Sequence, residues 1–543
     1  ASDQLGLHLS LGPASVARTT TYRGRVDGLL DRAMALVGQD DEEAVRWARV
    51  AADVAWHHHT GRFVTPFLEE LLIDVGRSAV PSVDLPSGGG GIVHVLTEGY
   101  ATGGHTRLVA RWIDAQGSVA HVVHTSPGAG RIPELLADSV ARSGGSSIGA
   151  DGGGGLLHTA GRLRSLVVDA EAVVLHTHPW DVVPSLAFAH DGGPPVVMVA
   201  HTDNVHLVGH EIADRLVTLR RAATEVASTR RGIPPERIVE VPIPVPDPER
   251  ERSRAQARAE LGLDDDLEVI LTVGPYYKYI GDGVIDFVDL VEPILRDRPR
   301  AVLVAVGPPL HGRFEELHQM TGGRVIACGP RLDLATFFAA ADVYVESHAI
   351  TGITATLEAA SHGLPVVTFT PPDRLVPVLD SDSPGLDGLS RHPTPEAAQA
   401  DVHQLFDDPA AAVARGEALA GDVMAAHGPA AVAAASSAAV SGLGPPRVRA
   451  HEPARQGDEG EQERHRQLHF DLAGHRDGLR GSLLRAPHVA PTPGPISVVL
   501  LDRAGRDDEL VARIAELLRW RADVEVVLVR SGTSTADLGR TLS

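Results

Sequence analysis

Lysine is almost absent from this chain. Lys and Arg together number 49 in 543 residues, and Lys278 is the only lysine. It sits in "LTVGPYYKYIGDG", where Tyr276, Tyr277 and Tyr279 crowd around it, three of the six tyrosines in the chain. Cysteine is equally scarce. Cys328 stands alone, which excludes a disulfide framework and a thiolate metal site. Aromatic residues make up only 4%, against an abundance of Ala, Gly, Val and Arg that reads as the codon bias of a high-GC bacterial genome. Positive charge is in deficit: the formal net charge is −22, which argues against a general nucleic-acid binder and favours solubility. No apolar run approaches the length of a membrane span, and the first twenty residues lack the charged-then-apolar order of a signal peptide. The expectation is a cytoplasmic protein that touches a membrane only through its substrate.

Apolar content of 43% allows sizeable cores, and the length predicts two or three domains. Residues 1–87 form a helical extension and linker. Within it, Val45, Ala48, Ala52, Ala55 and Trp56 share one helical stripe, so these helices are expected to pack on the next domain. His57, His58 and His59 are consecutive and diverge around a helix, so they cannot converge on one metal. From 88 to 245, short apolar runs such as "GIVHVLT", "AVVLHTH" and "PVVMVAH" alternate with helix-like pieces, among them "HEIADRLVTLRRA" (210–222). "TEVAS" (224–228) reads as a strand. A Pro-rich hinge lies near 242–250, and alternation resumes through 246–443, ending in two alanine-rich helices over 394–440. Such alternation predicts an α/β fold with two doubly wound parallel sheets. Residues 444–495 are charged and turn-rich, as a flexible linker is. Residues 496–543 read as one βαβ fragment, too small to bury its own faces.

Two tandem sheets of this kind leave a cleft between their carboxyl ends, where ligands bind. In "ATGGHTR", Gly103 and Gly104 allow a sharp turn and close approach of backbone to a ligand. The bland alternative is a tight turn. Lys278 ends another strand at the cleft edge and offers a point charge to a leaving diphosphate, or else is a solvated loop lysine. "ADVYVESHAITGITATLEAASHGLPVV" supplies a tight turn at Gly352 and then a helix. Its first N–H groups, on Ile353, Thr354 and Ala355, can cradle phosphate. Glu358, one turn in, can accept two hydrogen bonds from vicinal ribose hydroxyls, or can simply complement the helix terminus.

These residues resemble the donor-site signature of GT-B glycosyltransferases, the large retaining family 4 (glycosyl transferases group 1). "ILTVGPYYKYIGDG" resembles that family's strand and Lys-bearing turn, "TEGYATGGHTRLV" its N-terminal glycine loop, and "AVVLHTHPWDVVP" with "PVVMVAHTDN" its histidine-bearing strand ends. The likeness spans roughly residues 90–440. It implies a GT-B fold: two Rossmann-like domains facing a cleft, the first (88–245) for the acceptor and the second (246–443) for the nucleotide-sugar donor. It implies transfer of a sugar from a nucleotide diphosphate, UDP or GDP, to an acceptor hydroxyl with retention, without a metal. It adds Gly274 to the donor loop and makes His201 the histidine that hydrogen-bonds the donor sugar. Lys278, Glu358 and His201 are then the catalytic set. The family's first acid has no counterpart, since the aligned stretch reads Ile350-Thr351-Gly352, and Pro275 replaces the arginine that would assist Lys278.

Those losses raise a second reading: a degenerate, transferase-like scaffold for a partner. A third comes from 27 histidines, including His176 and His178 as an HxH, then His206 and His210 at helical spacing. The HxH resembles the first ligands of a metal-dependent amidohydrolase, but the hinge and the two alternating units do not fit its single barrel. The tail faintly resembles the first βαβ of GT-A family 2 transferases, and no Asp-x-Asp follows before Ser543. The acceptor (glycan, lipid-linked sugar, protein or small metabolite) is left open, as is the oligomeric state.

Overall fold

The computed structural model describes residues 13–57, 60–82, 90–100, 104–126, 132–202, 205–248, 252–279, 285–348, 350–370, 382–443, 496–502 and 524–530. The chain divides into two units, Ala1–Leu472 and Ala473–Ser543.

The first unit opens with three helices, α1 (Pro13–Leu36), α2 (Asp41–His57) and α3 (Pro66–Ala79). Their apolar stripes meet the first sheet. Leu30, Ala48, Leu68 and Leu72 share one buried cluster with Val93, Val95 and Leu175, as expected of helices that cannot bury a face alone. His57 is the last residue of α2, while His58 and His59 lie outside the described residues.

The first sheet follows: β1 (Ile92–Leu96), α4 (Gly104–Gln116), β2 (Ala120–His124), α5 (Glu134–Arg142), β3 (Ser147–Gly149), α6 (Leu156–Leu166), β4 (Ala172–His176), α7 (Val183–Ala187), β5 (Val196–Val199), β6 (Arg215–Thr218), α8 (Arg221–Thr229) and β7 (Ile238–Glu240). Its spatial order is 3-2-1-4-5-6-7, and every pairing is parallel. The glycine-rich stretch at 144–155 forms β3 on the outer edge. All five residues of both β1 and β4 are buried, as befits central parallel strands covered on two faces.

The second sheet repeats the plan: α9 (Arg254–Leu261), β8 (Glu268–Val273), α10 (Phe287–Asp297), β9 (Ala301–Val306), α11 (Arg313–Met320), β10 (Val325–Gly329), α12 (Ala335–Ala340), β11 (Val343–Val345), α13 (Ile353–Ser361), β12 (Val366–Phe369) and β13 (Ser390–His392). Its order is 10-9-8-11-12-13, again parallel throughout. The alanine-rich segment forms three helices where the sequence predicts two: α14 (Pro395–Asp407), α15 (Pro409–His427) and α16 (Pro429–Val440). Gly428-Pro429 breaks the run, because proline cannot continue a helix but opens one well. By length and composition alone the stretch Pro409–Val440, here two helices, passes as long and apolar enough for a membrane span, where the sequence predicts no such run. Its apolarity is mostly alanine, and it buries Val423, Val432 and Ala439 against the rest of the unit.

Two further elements differ from expectation. The sequence pattern predicts a helix over 210–222 and a strand over 224–228; β6 and α8 occupy these stretches in the opposite sense. The strand "RLVT" is short and buried between β5 and β7, so sheet pairing decides it. The N-terminus of α8 is held by Asp382, whose carboxylate accepts from Ala222 N at 2.6 Å and pairs with Arg220. That cap comes from the second half of the unit and leaves no local signature.

The second unit shows two parallel strands, β14 (Ile496–Asp502) and β15 (Val524–Arg530), paired Ile496↔Val524 onward. The expected crossover helix falls outside the described residues, as does the linker 444–495.

Candidate functional site

Each sheet reverses its winding once, between β1 and β4 in the first and between β8 and β11 in the second. Such switch points leave a crevice beyond the strand ends. The strand ends and loops there carry Gly104, the His176–His178 pair, Lys278 and Gly352.

Lys278 lies in a tight helical turn, Tyr276–Tyr279, directly after β8. Its ammonium donates to Thr351 O at 2.6 Å, on the loop leading into α13. The turn is seated from below. Tyr279 is buried against Phe287 and Phe314, and burial pushes its phenol well above the usual tyrosine range. Gly274 leaves room for the Lys278 stem and the Tyr279 hydroxyl, whose Cδ and Oη would stand 3.5 and 3.3 Å from any Cβ there. Gly307 follows β9 at φ +114°, and its position lets Gly274 O approach where a Cβ would meet it at 2.1 Å.

The loop before α13 is braced by Glu346. This buried carboxylate accepts from the hydroxyls of Thr351 and Thr356, the latter at 2.9 Å, tying the loop to the first helical turn. Gly352 sits close against Val273 O, with Ile353, Thr354 and Ala355 opening the helix. Sequence reasoning passes over Glu346, although an acid directly after a strand in "VYVESH" is the signal that marks it.

Across the crevice, α4 meets α13. A Cβ on Gly104 would stand 3.5 Å from Thr354 Oγ1. Further along, Arg111 Nη2 lies 2.6 Å from Glu358 Oε1, and Arg107 Nη1 lies 3.8 Å from Glu358 Oε2. The starts of the two helices thus lie close together, and the long side chains of α4 reach the first turns of α13. Glu358 is buried and forms ion pairs with these two guanidinium groups, although its Oε1 accepts no hydrogen bond among the described residues; sequence reasoning misses this pairing. The signal is present: two arginines four apart, just after a glycine pair, share one helix face. Gly103 lies outside the described residues.

His201 follows β5. Its ring packs 4.5 Å from that of His105 and 6.2 Å from that of His178. Burial, then the neighbouring His105 and His178, hold it well below the ordinary histidine value, so it is neutral at neutral pH. His105 Nε2 donates to His176 O at 2.7 Å, which fixes its tautomer, and burial lowers its pKa to about 4. His94 Nδ1 and His176 Nε2 share one hydrogen bond of 3.0 Å, and burial lowers the His94 pKa to about 4. This neutral cluster offers hydrogen bonds rather than charge. His206 and His210 lie elsewhere. His206 bonds Thr65 Oγ1 at 2.9 Å, and His210 lies 3.0 Å from Glu69. Among the described residues no group of three or more His, Cys, Asp or Glu is arranged to hold a metal. Two open sheets also exclude the single barrel that the hydrolase reading needs.

Residues 268–408 match the family model described as glycosyl transferases group 1. Anabaena Alr3699/HepE, solved in complex with UDP and glucose, matches with a TM-score of 0.51 at 15% identity, over 65% of this chain and 99% of that one. A glycosyltransferase from Rickettsia africae matches with a TM-score of 0.50 at 12% identity, over 65% and 99% respectively. The fold is GT-B. No curated protein matches this chain in sequence. The GT-B assignment agrees with the resemblance drawn from "ADVYVESHAITGITATLEAASHGLPVV", and the glycosyl transferases group 1 match spans β8 to α14, the half that carries Lys278 and Glu358.

Proposed function

We propose that this chain transfers a hexosyl group from a UDP- or GDP-sugar to an acceptor hydroxyl, with retention. The observation that carries this reading is the convergence at one crevice of Lys278, the start of α13 and Glu358, opposite the start of α4. In this reading residues 88–245 take the acceptor and 246–443 the donor. The N–H groups of Ile353, Thr354 and Ala355 hold the diphosphate, with Gly274, Gly352 and the Gly103-Gly104 turn allowing close approach. Lys278 stabilises the charge that builds on the diphosphate as the bond from the sugar's anomeric carbon to it breaks. The acceptor oxygen forms the new bond on the same face, and its proton leaves with the diphosphate. Glu358 accepts from the ribose hydroxyls, and neutral His201 hydrogen-bonds the sugar and orients it. This reading requires no metal, because Lys278 and the α13 terminus supply the positive potential. The complexes of Anabaena HepE with UDP and glucose and with UDP-glucose support a nucleotide-sugar donor. A cytoplasmic setting, with a glycan or lipid-linked acceptor of a bacterial polysaccharide, belongs to the same reading.

The test is thermal stabilisation by a panel of UDP- and GDP-sugars. The wild-type chain is expected to gain stability with one of them, and Lys278→Ala and Glu358→Ala to lose the gain. A gain that survives both changes removes these residues from the site. Ile350 at the first acid position and Pro275 at the arginine position favour a second reading, a scaffold that has lost activity. Calorimetry that detects no UDP or GDP binding supports it.

A further inference from the structure

Pro275 stands where the resemblance implies an arginine beside Lys278, yet two arginines reach the same crevice from the first half. Two guanidinium groups, on Arg107 and Arg111, face one carboxylate, Glu358. Among the described residues their other partners are neutral carbonyls: Pro244 O, 3.2 Å from Arg111 Nη1, and Leu332 O, 3.4 Å from Arg107 Nη2. One positive charge is therefore in excess. It falls on Arg107, because Arg111 forms the closer ion pair with Glu358, at 2.6 Å, whereas both contacts of Arg107 lie at or beyond 3.4 Å. A guanidinium carries five donors that favour distances near 2.9 Å. At 19% side-chain exposure, that of Arg107 is neither fully hydrated nor well paired. Arg107 lies one turn past Gly104, which faces Thr354 at the start of α13, and its side chain reaches Glu358 one turn further along α13.

We propose that Arg107 is a ligand of the donor diphosphate, a second cation beside Lys278. This rests on the nucleotide-sugar reading above. In this structure Arg107 leans toward Glu358. When nucleotide binds, its forked donors turn to phosphate oxygens, Arg111 keeps its hold on Glu358, and the remaining carboxylate lone pairs accept from ribose. The fork suits phosphate better than a lysine would, because two parallel N–H bonds fix orientation as well as charge.

Binding of UDP and GDP to the full chain by calorimetry, and of uridine and guanosine by ligand-observed NMR, separates the possibilities. Arg107→Ala is expected to weaken diphosphate binding about tenfold or more while nucleoside binding stays within about twofold. If both weaken equally, Arg107 acts only through Glu358, and the inference is overturned. If neither weakens, it is overturned as well. Arg107→Gln, nearly isosteric and neutral, repeats the test should the alanine variant fail to fold. A wild-type chain that binds neither diphosphate overturns the nucleotide-sugar reading itself. Binding by wild type with Arg107 indifferent overturns this inference alone.

Discussion

Lys278 and the arginines divide the labour by shape. The lysine places a compact ammonium in a narrow turn, with Thr351 O at 2.6 Å. Arginines do the opposite and gather several carbonyls at once. Arg324 Nη1 donates to Leu295 O, Arg298 O and Ala301 O, and the fully buried Arg258 bonds Ala340 O and Leu267 O as well as Asp342. These forks cross-link loops at the base of the second sheet. The turn that presents Lys278 depends equally on a residue with no side chain. Gly307 combines φ +114° with an approach to Gly274 O that leaves no space for a Cβ. Gly307→Ala is expected to destabilise the chain by about 2 kcal/mol or more, since it adds left-handed strain to a backbone clash. On the proposed nucleotide-sugar reading it should also weaken nucleotide binding by displacing the Lys278 turn. Chemical denaturation and calorimetry check the two effects. Unchanged stability would mean that the backbone there relaxes freely.

Among the elements, α4 does the most to shape the crevice. Its N-terminal end meets α13, its middle carries Arg107 and Arg111, and α16 packs against it, returning from the end of the second half. The closing end of α16 is fastened by Arg215 of β6, whose Nη1 donates to Ala438 O at 2.7 Å and to Ala439 O at 2.9 Å. These are carbonyls that a helix terminus leaves without intrahelical partners, so a cation there satisfies them and complements the dipole. Arg215→Ala is expected to cost about 1 kcal/mol and to speed amide exchange selectively in α16. Exchange that rises uniformly across the unit would show that Arg215 is not a local fastener.

At the scale of the whole first unit, three large cores hold the parts together. One joins α1, α2 and α3 to the first sheet. A second runs from Trp112 and Val197 to Val269, Leu271 and Val273 of β8, and so bridges the two sheets. A third lies under α10 and α14. The first core is also stitched by charge. His210 lies against Glu69 of α3 and Glu211. Burial alone would lower the His210 pKa, but the two carboxylates outweigh it and raise the pKa to about 9. A folded value above the unfolded one means that the stabilisation is complete below about pH 6.5 and is lost as pH rises through about 9. The opposite limb belongs to His94, His105 and His206, which burial lowers to about 4, about 4 and about 3; their neutral forms favour the fold above about pH 6.5, and that support fades on acidification. The melting temperature is expected to fall by several degrees between about pH 7 and about pH 9.5, and Glu69→Gln is expected to flatten that alkaline limb. An alkaline limb unchanged in Glu69→Gln would assign it to other groups.

Much of the layout is legible in the chain read as a string: strand–helix alternation, a helical extension with one apolar stripe, and the glycine-and-helix signature around Gly352 and Glu358. These are local patterns, because burial on two faces demands continuous apolar strands and a tight turn demands glycine. What crosses between distant segments is not legible in that way. Asp382 caps α8 from far along the chain, and with the pairing of β6 it overrides the local preference of 210–228. Arg107 and Arg111 reach Glu358 from the opposite half of the unit, a meeting that depends on how two sheets face each other. Pairings of this kind are set by topology, and no short window of residues encodes them.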